Sequence, residues 1–405
     1  MKFTVIGIAD TPQPFFPPEV MRIISQGEVF SGGKRHHEIV APLLPEGIVW
    51  IDITVPLDRV FEQYKALAKD IVVFASGDPL FFGFANTIRR KLPDAEMVLY
   101  PTFNSLQSLA HRLVKPYHDM RIVSLTGRPW PEFDKALIER APKIGVLTDR
   151  EHTPAAIAAR MLDYGYDGYV MHVGEHLGHP TEERVHTLTL EEATERSFGL
   201  PNCVILMANN HLAPAPFGIA DNQFDLLDGR EKMITKMPIR LLTLQALDLR
   251  HRHVLWDIGF CTGSVSIEAR LQFPHLHVVA FEIREECEAL IRSNSRRFGA
   301  PGIDVHIGDF LTTDIEGLPH PDAVFIGGHG GHLKAIMAKV LTVLTDNGLI
   351  VTNSVTSHVV EQMTSRPSSK QLFHEACAEL GLTEEPPTHI ALNDYNPIEI
   401  LKCRK

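Results

Sequence analysis

Short apolar, β-branched runs punctuate the first half of the chain: KFTVIGI (2–8), IVVFA (71–75), RIVSL (121–125), IGVLT (144–148) and CVILM (203–207), bounded by Gly, Pro or Asp. Between them, VFEQYKALAKD, NSLQSLAHRLV and TPAAIAARMLDYG repeat their apolar positions every three or four residues, the spacing of one helical face. Alternation of this kind predicts an α/β domain. The stretch HLAPAPFGIADNQF keeps neither period, carries Pro214 and Pro216, and reads as a linker over 211–227. A second alternating set follows. HVLWDIG (253–259), HVVAFEI (277–283), DVHIGD (304–309), DAVFIGG (322–328) and GLIVTNSV (348–355) enclose the helical patterns SVSIEARLQ, REECEALIRSNSRRFG and LKAIMAKVLTVL. Near-continuous apolar strands between amphipathic helices predict a parallel sheet covered on both faces. The expected domains are therefore 1–210 and 228–405.

Composition narrows the class. The chain has 405 residues, 44% hydrophobic and 22% charged, which fits a globular protein of two or three domains rather than a disordered or fibrous one. A formal charge of −11 and a pI near 6.0 argue against a nucleic-acid grip, which needs a basic surface excess. No apolar run approaches the roughly 20 residues of a membrane span. The apolar stretch of MKFTVIGIADTPQP is broken by Asp10 and Pro12, too short for a signal peptide's core. Five cysteines without a CxxC pair fit reduced thiols, and the chain reads as cytoplasmic.

Candidate chemistry concentrates in WDIGFCTGSVSIEA, a strand that ends in Asp257, turns through Gly259 and Gly263, and opens a helix near Ser264. Glycines there allow a tight turn and close approach of a ligand, and the helix start offers free N–H groups. Glu282 ends the second strand, where a carboxylate can accept hydrogen bonds from both ribose hydroxyls of an adenosine. Asp309 ends the third. The spacing lacks the G-x-G-x-x-G dinucleotide fingerprint. Its D-x-G-x-x-x-G form resembles motif I of the Rossmann-like methyltransferases that use S-adenosyl-L-methionine (SAM). With MITKMPIRLLTLQALDLRHRHVL before it and GDF and DAVFIGGHGG after it, the segment resembles the decarboxylating methyltransferase domain of the precorrin-6Y methyltransferase family of cobalamin biosynthesis. Members of that family usually have Gly at Cys261 and Ser at His329.

In the first half, ASGDPLFFG (75–83) joins a strand to a helix through Gly77, Asp78 and Pro79, with Asp78 expected to cap a helix that Pro79 opens. SGGKRHH (31–37), YPTFNSLQSLAHRL (100–113), VSLTGR (123–128), VLTD (146–149) and VGEHLGHPTEER (173–184) follow the order of motifs in the tetrapyrrole methylase family, and resemble the carbon-5 methyltransferase half of the same fused enzyme. The expected fold is thus α/β throughout: a tetrapyrrole methylase domain of two α/β subdomains, then a Rossmann-like methyltransferase domain. One loop departs from the pattern. The chain reads GIADTPQ where the family carries a Gly-rich G-x-G-P-G loop beside the substrate.

The resemblance implies two SAM sites. One is built on Gly77, Asp78, Pro79 and main chain near Thr102 and Thr126. The other is built on Asp257, Gly259, Gly263, Glu282 and Asp309, with Thr235 at its entry. Lys236 and Arg240 would hold substrate carboxylates, with an ordinary helix start opened by Pro238 as the equal alternative. The implied activity is methylation of a precorrin-type tetrapyrrole at carbon 5 by the first half, and at carbon 15 with loss of carbon dioxide by the second. No metal, nucleic acid or membrane is expected, and a homo-oligomer is. Two other readings stay open: an RNA methyltransferase, and a first half reduced to a noncatalytic tetrapyrrole-binding or oligomerisation module. The 21 histidines read mainly as surface or capping residues. His329 and His332, at a strand's carboxyl end, are the pair to watch.

Overall fold

The computed structural model describes residues 1–209, 212–230, 233–355, 367–392 and 396–405; the expected domain end at 210 and the first linker position, 211, lie outside them. The chain divides into two compact units. The first comprises Met1–Pro129, Pro142–Arg160 and Gly168–His211, and the second Trp130–Ala141, Met161–Asp167 and Leu212–Lys405.

The first unit holds two sheets. Strands β1 (Lys2–Ile8), β2 (Val29–Gly32), β3 (Val49–Asp52), β4 (Ile71–Ser76) and β5 (Glu96–Tyr100) make a parallel sheet in the order β3-β2-β4-β1-β5. The central strands have no polar face because helices cover both sides, so alternate residues enter different cores. Phe3, Val5, Ile71 and Val73 pack in one, and Ile6, Ile8, Val72 and Phe74 in the other. The second sheet runs β6 (Arg121–Ser124), β7 (Lys143–Leu147), β10 (Asn202–Ala208), β8 (Tyr169–Glu175), β9 (Arg184–Leu188), and only β6 and β7 are parallel.

In the second unit β11 (Val254–Ile258), β12 (His277–Glu282), β13 (Ile303–Ile307), β14 (Ala323–Ile326), β15 (Leu349–Val355), β16 (Thr383–Ile390) and β17 (Ile398–Arg404) form one sheet ordered β13-β12-β11-β14-β15-β17-β16. The first five strands are parallel and the last two antiparallel, so the order 3-2-1-4-5 of a nucleotide-binding α/β sheet is extended by a hairpin pair. Trp256 lies fully buried in the core, and its indole N–H is satisfied by the Pro319 carbonyl at 3.1 Å.

The expected helices form at Leu57–Leu67, Ser105–Leu113, Pro154–Asp163, Ser264–Gln272, Glu286–Phe298 and Leu333–Leu341. Asn104 caps the second of these in a reciprocal pair with Gln107. The stretch expected to be a linker is tied down over residues 218–227. Its Ile219, Phe224 and Leu227 are buried, and the Gly218 and Ile219 N–H groups donate to the buried carboxylate of Glu268 at 2.7 and 3.2 Å. Aperiodic apolar residues, invisible to a pattern of helix or strand, serve there as anchors onto the second unit's own core.

Candidate active sites

Strand order reverses at β11, which has β12 on one side and β14 on the other; open α/β sheets take ligands beyond the carboxyl ends at such a point. Gly259, at φ +80°, faces the main chain after β14: a Cβ there would lie 2.6 Å from the Gly328 nitrogen. Gly263, at φ +74°, closes the turn against the helix Glu286–Phe298, where a Cβ would lie 2.3 Å from Ile291. Both positions admit only glycine. Between them Cys261 also adopts a left-handed conformation, at φ +49°, which non-glycine residues seldom do. Its buried thiol hydrogen-bonds with Cys287, and burial together with the nearby Glu282 charge pushes its pKa up.

Glu282 closes this turn. Its Oε2 accepts the Cys261 N–H at 3.0 Å, and its Oε1 accepts the N–H groups of Ile283 and Arg284 at 2.9 and 3.2 Å and the Arg284 guanidinium at 3.2 Å. Oε2 keeps capacity for one further donor. Asp257 lies deeper. Ser266 donates to its Oδ2 at 2.6 Å, whereas Oδ1 is buried with no hydrogen-bond partner among the described residues. Burial, reinforced by the neighbouring Glu282 charge, raises its pKa to about 7 against the pull of Ser266. An unsatisfied buried oxygen beside a glycine turn suits a ligand that brings a donor.

Asp309 is exposed and caps the turn after β13, accepting the Leu311 N–H at 2.9 Å. The Gly308 N–H donates to the Glu282 carbonyl at 2.8 Å, which holds the β12 and β13 ends side by side. His329 accepts the Gly331 N–H at Nδ1 (3.1 Å) and pairs through Nε2 with the Ser369 hydroxyl (2.9 Å). Burial lowers its pKa, and His332 lowers it further. The two histidines thus shape the loop after β14. Among the described residues no group of three or more His, Cys, Asp and Glu could hold a metal ion.

The expectation for Arg240 needs correction. Its side chain is 0% exposed. Its N–H groups are taken by Glu268 at 3.2 Å, Asp221 at 3.4 Å, the Thr235 carbonyl at 2.9 Å and the Ile219 carbonyl, and its guanidinium lies 5.0 Å from the Phe224 ring centroid. No face is left for a substrate carboxylate. Arg240 fastens the segment 212–230 to the helix Met237–Ala246, the structural alternative of the sequence reading. Lys236 is partly exposed, with Nζ 3.8 Å from Asp221.

In the first unit a cleft of about 490 Å³ opens between the two sheets. Gly77 and Thr126 line it; Asp78 and Pro79 do not. Gly77, at φ +62°, donates its N–H to Ile8 at 2.9 Å and accepts from Thr102 at 3.4 Å. Asp78 accepts the Leu80 N–H at 2.9 Å and so caps a turn; the following helix starts only at Phe84, not at Pro79 as expected. Thr126 donates its hydroxyl to the Thr148 carbonyl at 3.0 Å. The departing loop places Asp10 in the cleft wall, 3.3 Å from the Arg35 guanidinium and 3.5 Å from His176. His36, beside them, contacts Ser76 at 2.9 Å, and burial followed by the Arg35 charge pushes its pKa down to about 4. Arg128 also lines the cleft, 5.1 Å from the Phe82 ring centroid.

Sequence reasoning overlooked Asp10, Arg35 and His36 as one group, and Ser266 as the partner of Asp257. The nine-residue spacing from Asp257 to Ser266, a strand end followed by the first turn of a helix, was the one available signal for the latter. The Asp10–Arg35 pair depends on tertiary folding and had no local signal.

Residues 16–194 match the family model of tetrapyrrole (corrin/porphyrin) methylases, and residues 228–371 that of a precorrin methyltransferase domain. A precorrin-6Y C(5,15)-methyltransferase [decarboxylating] from Sinorhizobium sp is 33% identical over 360 residues, covering 87% of this chain and 84% of that one. A cobalt-precorrin-6B C(15)-methyltransferase (decarboxylating) from Salmonella typhimurium is 33% identical over 181 residues, 44% of this chain and 93% of its own. From the same organism, a cobalt-precorrin-7 C(5)-methyltransferase is 26% identical over 204 residues, 50% of this chain and 98% of its own.

Proposed function

Because the chain belongs to the precorrin-6Y C5,15-methyltransferase (decarboxylating) family, we propose that it is a bifunctional SAM-dependent C-methyltransferase of cobalamin biosynthesis, the first half acting at carbon 5 and the second at carbon 15 with loss of carbon dioxide from the ring C acetate. The observation that carries this reading is the pair of family matches in one chain, in this order. SAM supplies a methyl group on a cationic sulfur. In the second unit Gly259 and Gly263 leave room for it, Asp257 Oδ1 accepts a donor from it, and the free capacity of Glu282 Oε2 meets a ribose hydroxyl. In the first unit Gly77 and main chain near Thr126 take the corresponding roles, and Asp78 and Pro79 hold the turn that presents Gly77.

The chain's task in methyl transfer is alignment and exclusion of water. The substrate carbon, enamine-like in a reduced tetrapyrrole, forms the new C–C bond as the methyl–sulfur bond breaks and sulfur keeps the electron pair. Decarboxylation breaks the bond to the carboxyl carbon, and the conjugated ring takes the electrons. Neither step calls for an activated serine or cysteine, in keeping with the settings of Cys261 and Cys287, whose thiol pKa values are raised.

The Salmonella relatives are named for a 6B substrate at carbon 15 and a 7 substrate at carbon 5. We infer the same order here, the second half acting first. We further infer a cytoplasmic homo-oligomer without nucleic-acid partners; no described helix is long and apolar enough to cross a membrane. Equilibrium titration of the full chain should give two SAM equivalents. One equivalent, with the remaining site abolished by Glu282→Ala, would make the first half a tetrapyrrole-binding module instead.

A further inference from the structure

Next to the cleft of the first unit lies a second cavity of about 430 Å³, formed at the ends of β8 and β9 and by residues 196–199. The two cavities adjoin: Gly174 lines the first and Glu175 the second, and Asp10 of the first lies 3.5 Å from His176 of the second. The charges of the second cavity do not all pair among themselves. Glu175 is buried and satisfied by the Gly199 N–H and by His186 at 2.9 Å. Glu182 is exposed and lies 3.8 Å from His176. Arg184 and Arg196 remain, both exposed, and neither guanidinium has a hydrogen-bond or ion-pair partner among the described residues. Beside them the half-buried ring of Phe198 meets His186 edge to face at 5.9 Å.

Two unpaired guanidiniums at the mouth of a cavity are suited to carboxylates, which they bind as forked, charge-assisted pairs. An apolar ring among them favours a large organic anion over a small inorganic one. The first cleft has the volume of one medium-sized ligand, and the methyl donor claims it. A tetrapyrrole carrying acetate and propionate arms must extend beyond it. We propose that this second cavity binds carboxylate arms of the tetrapyrrole through Arg184 and Arg196, and so sets which edge of the macrocycle faces the methyl donor. The proposal rests on the tetrapyrrole reading of the first half.

The test uses the full chain and uroporphyrin III, which carries eight carboxylates, against coproporphyrin III, which carries four, followed by porphyrin fluorescence. In the parent protein uroporphyrin should bind more tightly than coproporphyrin. R184Q/R196Q should weaken uroporphyrin at least about tenfold, the loss of one charge-assisted hydrogen bond or more, and erase most of the preference for it. SAM stoichiometry and affinity should stay as they were, since both side chains are exposed and unpaired. Binding to the second unit is common to both proteins and leaves the difference readable. Equal uroporphyrin affinity in the two proteins overturns the proposal while leaving the tetrapyrrole reading intact. No uroporphyrin binding by the parent, with two SAM equivalents still bound, overturns that reading itself. A third arm adds inorganic phosphate: if millimolar phosphate binds the parent but not the variant, and does so without displacing uroporphyrin, the cavity is a small-anion site and the proposal fails.

Discussion

Asp257 carries a carboxyl whose two oxygens meet different surroundings, one held by Ser266 and the other buried without a partner among the described residues. With its pKa raised to about 7 from an ordinary value near 3.8, the folded chain binds a proton there that the unfolded chain has released. This group's contribution to stability is fully present below about pH 4 and is lost as the pH rises toward 7. Ligand-free Asp257→Asn should therefore lose less stability than the parent between pH 4 and 7, as chemical denaturation at each pH will show; parallel curves would mean that Asp257 ionises normally. Glu282 differs in its surroundings, since four donors reach its two oxygens. Glu282→Ala removes them all and should weaken SAM at one of the two sites by about 1.5–3 kcal/mol, with the other site unchanged in calorimetry. Glu282→Gln, which keeps one acceptor oxygen, should lose less.

At the scale of elements, the helix Met237–Ala246 illustrates how a correct pattern can conceal a wrong role. The polar Thr235 and Lys236 precede it and it lies before the motif I strand, so Arg240 looked available to a substrate. Folding brings Asp221, the Ile219 carbonyl and Glu268 around the guanidinium, and no periodicity in the sequence announces such a convergence. Arg240→Ala strands the fully buried Glu268 without a cation and should destabilise the second unit by about 3–5 kcal/mol, read as a lower unfolding midpoint; little change would mean that backbone donors alone satisfy Glu268. The same contrast runs through the fold. Strands buried on both faces, such as β1, β4, β11 and β14, are continuous apolar runs and were legible directly. The edge strand β16 was not, since it reads TEEPPTHI and its register shifts at the two prolines, between Glu385 and Thr388. Gly259, Gly263 and Glu282 were legible because a turn against a neighbouring backbone leaves a spacing in the sequence. Asp10, Arg35 and His176 were not, because they lie on three separate segments.

For the whole molecule, two active halves acting in sequence should be separable by substrate. Gly259→Arg fills the space against Gly328 and should abolish carbon dioxide release from a precorrin-6B-type substrate. Given a precorrin-7-type substrate, the same protein should still add one methyl. Gly77→Arg, in a turn where even a Cβ would lie 2.9 Å from Asn104, should do the reverse and stop at the decarboxylated product. Mass spectrometry separates the cases, because methyl gain and carbon dioxide loss move the mass in opposite directions. A Gly259→Arg protein that still releases carbon dioxide would move decarboxylation out of the second half.

The position of β17 bears on how the molecule is made. Residues 398–404 lie between β15 and β16, inside the sheet, pairing Leu349 with Arg404 on one side and Thr383 with Arg404 on the other. A nascent chain that has not yet reached Ile398 leaves β15 and β16 each with an open edge, the condition in which strands pair with the wrong partner. Every strand of the first two sheets is by then already translated. The half whose step comes first in the inferred reaction order is thus the last to complete its sheet on the ribosome, and a stalled or clipped chain would supply the second activity without the first.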